Sequence, residues 1–349
     1  MGVTLADVAD LAGVSPSTAS RVLSGKSGVA ERTRDAVISA ADGLGYLRAK
    51  ATRRAVIGVI LPELDNPVFA AFAHTLANGV AQAGHMPVVC SQTNGGIDED
   101  EWIAMLLERD LAGLIVVSGL HADVLAGTSR YRQLSERRIP LVLVNGRVEG
   151  LDAVFVSDDD RVAMALAVGH LVELGHRRIG LAAGPSRYVP VIRKVEGFAE
   201  AVEAGGAEGF VDHSLFTIEG GRAAAVNLLR RRVTAIVCAS DLMALGAIRA
   251  CRSQSFDVPR DVSVIGYDDS PMMGFTGPAL TTVRQPVLAM CKAAVRALLD
   301  QLSGHVVPRH EYVFHPELIV RGSTGACRAI PPSAQVETAV QGGASRADP

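Results

Sequence analysis

The chain has 349 residues, 48% of them apolar and 20% charged, with a formal net charge of −3. At roughly 100–200 residues per domain this is enough for two or three domains with a proper core; the composition excludes disordered, collagen-like and disulfide-scaffold classes, and no run reaches the roughly 18 uncharged apolar residues of a membrane span. The charge is uneven: residues 1–54 carry eight basic groups against five acidic, a net of +3, and the remainder a net of −6, as expected if a small head alone meets a polyanion.

The head reads as three short helices. Thr4 can cap the first, with Asp7 returning the bond, and Leu5, Val8, Ala9 and Ala12 fall on one face. Gly13 ends it. Ser15 then precedes Pro16, a helix start, and Ala19, Val22 and Leu23 give the second helix its buried side. A third helix is expected over 31–44, presenting Val37, Ile38, Ala41 and Leu44, with Gly45 closing it. So short a connection between the first two helices makes them cross steeply, the helix-turn-helix unit. Its second helix enters the major groove: Pro16 and Ser17 come nearest the bases, and Arg21 can reach a guanine edge with two bonds. Ser15, Thr18 and Ser20 add hydroxyls for phosphate or base.

Asp7 and Asp10 lie where a signal peptide needs a basic flank and an apolar core, so export is not expected and the cytoplasm is. The five cysteines, Cys90, Cys238, Cys251, Cys291 and Cys327, never take metal-ligand spacing and read as free thiols.

Farther along, apolar runs at 56–61, 86–90, 113–117, 141–144, 179–182, 235–238 and 262–266 alternate with stretches of helical period such as 70–83 and 162–174. Such alternation implies doubly wound parallel sheets, and the total exceeds one sheet, so two α/β lobes are expected with a ligand cleft beyond the strand ends. His170, Glu173 and His176 are spaced wrongly for a zinc protease helix. There is no Gly-x-Gly-x-x-Gly fingerprint after a strand and no Gly-Lys-Ser/Thr loop, so no cofactor and no enzyme activity are expected.

The strings Val3-Thr4-Leu5-Ala6-Asp7-Val8-Ala9, Ala12-Gly13-Val14-Ser15 and Thr18-Ala19-Ser20-Arg21-Val22-Leu23 resemble the head of the lactose-repressor/galactose-repressor family of bacterial transcription regulators. Thr33-Arg34 and Leu44-Gly45-Tyr46 match its third helix, and the resemblance runs to about residue 325. It implies a helix-turn-helix DNA-binding domain over 1–46, a hinge over 47–56, a two-lobed effector and dimerisation domain over 57–328 that looks like a periplasmic sugar-binding protein, and a disordered tail over 329–349. Thr4, Leu5 and the second helix would face DNA. Relatives carry a hinge leucine that wedges into the minor groove. Here no leucine follows Leu47 until Leu61, so Arg48, Lys50, Arg53 and Arg54 are expected to form a basic arm without a wedge; in the opposing reading Leu47 itself wedges.

In the body the resemblance carries effector contacts to Asn66 and Phe69 after the first strand, Asn145, Lys194 in a slot that usually holds arginine, with Arg193 beside it, and Phe216. It also carries them to Ser240 and Asp241, where Ser240 replaces the usual asparagine, and to Asp268 and Gln285. Carboxylates and amides matched to hydroxyls, with aromatic faces beside them, suit a sugar. The expected protein is a regulator, most simply a repressor, that binds a near-palindromic operator as a dimer and responds to a small-molecule effector. No heptads follow Ile330 to make a tetramer. The alternative is a solute-binding protein of a sugar transport system, which shares the body but not the head.

Overall fold

The computed structural model describes residues 4–23, 28–44, 55–92 and 96–328. The expectations for Leu47, Arg48, Lys50, Arg53 and Arg54 and for the tail 329–349 lie outside the described residues.

The head is three helices, α1 (Leu5–Leu11), α2 (Pro16–Leu23) and α3 (Glu31–Gly43). Thr4 and Asp7 form the expected capping box, with the Thr4 N–H donating to Asp7 Oδ2 at 2.7 Å and the Asp7 N–H to Thr4 Oγ1 at 3.3 Å. Gly13 sits at φ +66°, where a side chain would be strained, and turns the chain into α2. Ser15 Oγ accepts the Thr18 N–H at 3.2 Å. Val8, Ala9, Ala19, Val22, Val37 and Ala41 close a small core. Its small side chains let the three short helices approach closely.

The body is two α/β lobes. In the first, β1 (Val56–Leu61), β2 (Met86–Ser91), β3 (Leu111–Val117), β4 (Leu141–Val144), β5 (Val154–Asp158) and β11 (Glu311–Phe314) lie in the order β2-β1-β3-β4-β5-β11, all parallel. The second holds β6 (Arg178–Ala183), β7 (Glu208–His213), β8 (Ala235–Cys238), β9 (Ser263–Asp268), β10 (Thr281–Arg284) and β12 (Glu317–Ile319), ordered β7-β6-β8-β9-β10-β12. Only β12 runs antiparallel to its neighbour. Seven strands stand where the apolar runs lie. The other five are short or edge strands such as β7, whose Glu-Gly-Phe-Val-Asp-His pattern carries little apolar signal.

Helices cover both faces of each sheet. In the first lobe, α4 (Pro67–Gln82) and α11 (Val287–Leu302) bury Phe72, Leu76 and Leu298 against Ile57 and Ile115. On its other face, α5 (Glu99–Leu107) and α6 (Ser129–Glu136) bury Ile103, Tyr131 and Leu134 against Ile60 and Leu114. In the second lobe, α7 (Asp160–Glu173) and α8 (Val189–Ala204) take one face, and α9 (Ile218–Arg230) and α10 (Asp241–Ser253) the other. Because both faces of β1 are covered, Ile57, Val59, Ile60 and Leu61 are all fully buried, which is why the strands read as continuous apolar runs.

The chain passes between lobes three times: from β5 into α7, from β10 into α11, and from β11 into β12. Both sheets place their first strand between the second and third, so each has a switch point at which the chain leaves in opposite directions. His170 and His176, considered above as ligands, instead tie down the C-terminal segment. His170 Nε2 meets Thr324 Oγ1 at 3.0 Å, and His176 reaches Thr234, Ser263 and the Gly325 carbonyl at 2.9–3.1 Å. Cys90, Cys238, Cys251, Cys291 and Cys327 are unpaired. No helix among the described residues is long and apolar enough to cross a membrane.

Candidate functional site

In the head, Pro16, Ser17, Ser20 and Arg21 are exposed along one side of α2, while Ala19 and Val22 face the core. Thr18 is half-buried, and its hydroxyl meets Ser15 Oγ at 2.9 Å. Thr4 is exposed, and Leu5 packs partly onto the head core. The structure thus presents α2 as a polar, basic face backed by a rigid apolar one, which is what groove entry needs.

In the body, a cavity of about 400 Å³ opens between the lobes at the carboxyl ends of both sheets. Asn66 and Phe69 reach it from the β1–α4 connection, Ser118 and Asn145 from the ends of β3 and β4, and Asp158 and Asp160 from the β5–α7 crossover. From the second lobe come Arg187, Tyr188, Lys194, Phe216, Ser240, Tyr267, Asp268 and Gln285. Ser118, Asn145 and Asp268 hold φ of +46°, +65° and +115°, conformations that side chains rarely adopt. Three such residues at strand ends around one cleft fit the tendency of strain to collect at binding sites. Tyr188 and Phe216 make an aromatic wall, their rings 6.4 Å apart and tilted by 45°. A Cβ at Gly184 would overlap the Phe216 ring, so the glycine after β6 is what lets this wall close.

The polar groups are interlocked. Asp268 Oδ1 accepts from the Gln285 amide at 2.6 Å. Lys194 pairs with Asp160 and lies 3.9 Å above the Tyr267 ring. The Tyr267 hydroxyl donates to Asp158, joining the lobes. Burial raises the pKa of Asp158 to about 7, against the opposing pull of the Tyr267 hydrogen bond and Lys194. It raises Asp160 as well, and Asp268 far above the usual carboxylate range, with Asp241 adding to the latter. Asp158 Oδ1 and Asp268 Oδ2 are buried without a hydrogen-bond partner among the described residues.

Of the effector residues expected from sequence, Asn66, Phe69, Asn145, Lys194, Phe216, Ser240, Asp268 and Gln285 are brought together at this cavity, and Arg193 and Asp241 are not. Arg193 turns to the lobe junction and pairs in two-pronged fashion with Glu311, at 2.6 and 3.0 Å. Asp241 is fully buried behind Ser240, where Thr282 Oγ1 donates to it at 2.6 Å and the Ser270 N–H at 2.7 Å. Asn66 and Ser240 also cap helices, accepting the Val68 N–H at 3.3 Å and the Met243 N–H at 3.2 Å. Sequence reasoning missed Asp158, Tyr188 and Tyr267. Tyr267 directly precedes Asp268 at the end of the apolar run 262–266, and Val154-Phe155-Val156 ahead of Asp158 is a short apolar run that marks β5.

Residues 4–49 match the family described as bacterial regulatory proteins, lacI family, and residues 168–324 match a periplasmic binding protein-like domain. The chain is 54% identical over 337 residues to the HTH-type transcriptional regulator reg1 of Streptomyces lividans, spanning 93% of this chain and 98% of that protein. It is 32% identical over 339 residues to the HTH-type transcriptional repressor CytR of Escherichia coli (strain K12), spanning 94% and 97%. Among solved structures, the transcriptional regulator CelR–cellobiose complex aligns with a TM-score of 0.70 at 32% identity, over 92% of this chain and 99% of that one. The lac repressor dimer bound to operator and the anti-inducer ONPF aligns with a TM-score of 0.70 at 26% identity, over 93% and 100%.

Proposed function

The chain belongs to the LacI family of bacterial regulatory proteins and is a DNA-binding transcriptional regulator, and from that premise we propose that it is a dimeric cytoplasmic repressor whose operator affinity is set by a sugar bound between its lobes. The observation that carries the sugar is the cavity itself: Asp158, Asp268, Asn145 and Gln285 offer donors and acceptors beside the Tyr188–Phe216 wall. Hydroxyls satisfy the first and an apolar ring face the second. The head, absent from transport binding proteins, argues against the solute-binding alternative.

The division of labour follows the domain boundaries expected above. Residues 1–46 read DNA through Thr4, Leu5, Ser15, Pro16, Ser17, Thr18, Ser20 and Arg21, with Arg48, Lys50, Arg53 and Arg54 of the hinge on phosphate. The cavity residues bind effector, and Arg193 and Asp241 support the lobes. A sugar that favours one degree of lobe closure shifts the population of states and with it the spacing of paired heads.

The test is operator selection from random DNA, followed by titration of the complex with maltose, cellobiose, lactose and ribose. One sugar should change the operator dissociation constant at least tenfold and raise the melting temperature; silence across the panel in both measurements would overturn the sugar reading. Sedimentation at micromolar concentration should give dimers, and tetramers would overturn that part. Neutralising Arg53 and Arg54 should weaken all DNA sequences alike and flatten the salt dependence. An operator bend abolished by Leu47→Ala would replace the basic-arm reading with a wedge.

A further inference from the structure

We propose that the cleft admits uncharged, hydroxyl-rich ligands and rejects their phosphate esters, because each cation that lines it is already spent on a carboxylate of the protein. The inference rests on the reading of this cavity as the effector site.

Two described cationic side chains line the cavity, Lys194 and Arg187. Lys194 is 6% exposed, pairs with Asp160 and is covered by the Tyr267 ring. Arg187 sits at the mouth, with Nε 3.1 Å from Asp123 Oδ2 and Nη2 3.0 Å from the Tyr188 hydroxyl. Arg193, the residue before Lys194 on α8, is held by Glu311. Among the described residues, each cation at the cavity already has a carboxylate partner.

The other usual phosphate receptor is the start of a helix, where free N–H groups gather. Five helices begin at the cavity, and side chains of the protein already cap four of them. Asn66 takes a donor of α4, Asp159 one of α7, Thr217 one of α9 and Ser240 one of α10. The fifth, α8, has no side-chain cap, but carries Pro190 in its first turn, which has no N–H to give.

What faces the cavity in return is a set of carboxyl groups, of which burial pushes Asp158 and Asp268 toward the protonated form. Glu63, Asp158, Asp160 and Asp268 all line it, and Asp158 Oδ1 and Asp268 Oδ2 are buried without partners among the described residues. Asp158 and Asp268 are 4% and 7% exposed, so water cannot easily serve these oxygens. A sugar hydroxyl both gives and accepts, and so satisfies such a carboxyl in either protonation state. A phosphate brings roughly −1.5 to −2 charge and three more acceptors.

Matched pairs test this by thermal shift and calorimetry: maltose against maltose 6′-phosphate, cellobiose against cellobiose 6′-phosphate, lactose against lactose 6-phosphate, and ribose against ribose 5-phosphate. The expected result is a neutral sugar that raises the melting temperature by several degrees while its ester, at the same concentration, binds at least a hundredfold more weakly. An ester that binds as tightly as its neutral partner overturns the inference and leaves the sugar reading standing. No binding by any member overturns both. Asp160→Asn should release Lys194 and bring the ester within tenfold of the neutral sugar. Should that variant fold poorly by circular dichroism, Asp158→Asn removes a facing carboxylate while keeping an oxygen for Tyr267, and should narrow the same gap at least threefold. A gap unchanged in the folded variant counts against the proposal.

Discussion

Asp158, at the cavity wall, accepts from the Tyr267 hydroxyl with one oxygen and buries the other without a partner among the described residues, while burial lifts its pKa to about 7. A carboxyl raised above its ordinary 3.8 binds its proton more tightly folded than unfolded, so its contribution to stability is whole below pH 3.8 and is lost as pH rises through about 7. Asp158→Asn should therefore melt like the wild type in acid but higher at pH 8, by about 2–4 °C for each kcal/mol recovered. Identical melting curves from pH 5 to pH 8 would detach Asp158 from this response. In the head, Arg21→Ala should cost about 1–3 kcal/mol of operator binding and relax preference at one base pair per half-site. A uniform loss across sequences would mean that Arg21 touches phosphate alone. The resemblance put Asp268, Gln285, Phe216 and Arg193 in one effector set, and the structure places the first three at the cavity. Arg193 lies elsewhere, since adjacent residues on a helix point in different directions; α8 turns Lys194 toward the cavity and Arg193 toward Glu311.

At the scale of elements, helix starts and ligand contacts use the same residue types. Asn66 and Ser240 suit a sugar hydroxyl, and they also suit an N-cap; the structure has them capping α4 and α10 and lining the cavity. Sequence could not separate these roles because both ask for a short side chain with an acceptor at a strand-to-helix junction. Substitution can. Ser240→Ala should lose about 0.5–2 kcal/mol of stability with the cap. Ser240→Asn keeps the cap and should leave the melting temperature within a degree or so, while changing sugar affinity severalfold. If Asn and Ala at 240 destabilise equally, the cap assignment is wrong. The three head helices were read nearly to their ends because Thr4, Gly13 and Pro16 each punctuate the chain locally. The edge strands β7, β11 and β12 lack such marks; their partners lie elsewhere in the chain.

At the scale of the molecule, the lobes are joined by more than their three crossovers. Opposite these, the turn after β3 reaches across the cavity mouth: the Val124 N–H donates to the Arg187 carbonyl at 2.9 Å, and Asp123 pairs with the Arg187 side chain. That turn is anchored from below by the buried Glu99 carboxylate, which accepts the Leu120 N–H at 2.8 Å and the Tyr131 hydroxyl. A rigid clasp of this kind biases closure before any ligand arrives. Asp123→Arg should open the lobes, enlarging the radius of gyration in solution scattering and shifting operator affinity threefold or more. The exchanged pair Asp123→Arg with Arg187→Asp should restore both. Failure of the exchange to rescue would leave the main-chain bond, and not the ion pair, in charge of closure.

Local grammar in the amino-acid sequence determined the head, the alternation of strands and helices, and the kind of chemistry to look for. Caps, turns and apolar periods act over a few residues and so are written where they act. Tertiary structure alone decided which groups share the cavity. Asp158, Tyr188, Lys194 and Tyr267 come from three elements, β5, α8 with its cap, and β9, and meet because β5 ends where the chain changes lobes. It also decided that Lys194 is a counter-ion and not a free cation, since that depends on Asp160 arriving 34 positions away in sequence and on burial that excludes water from the pair.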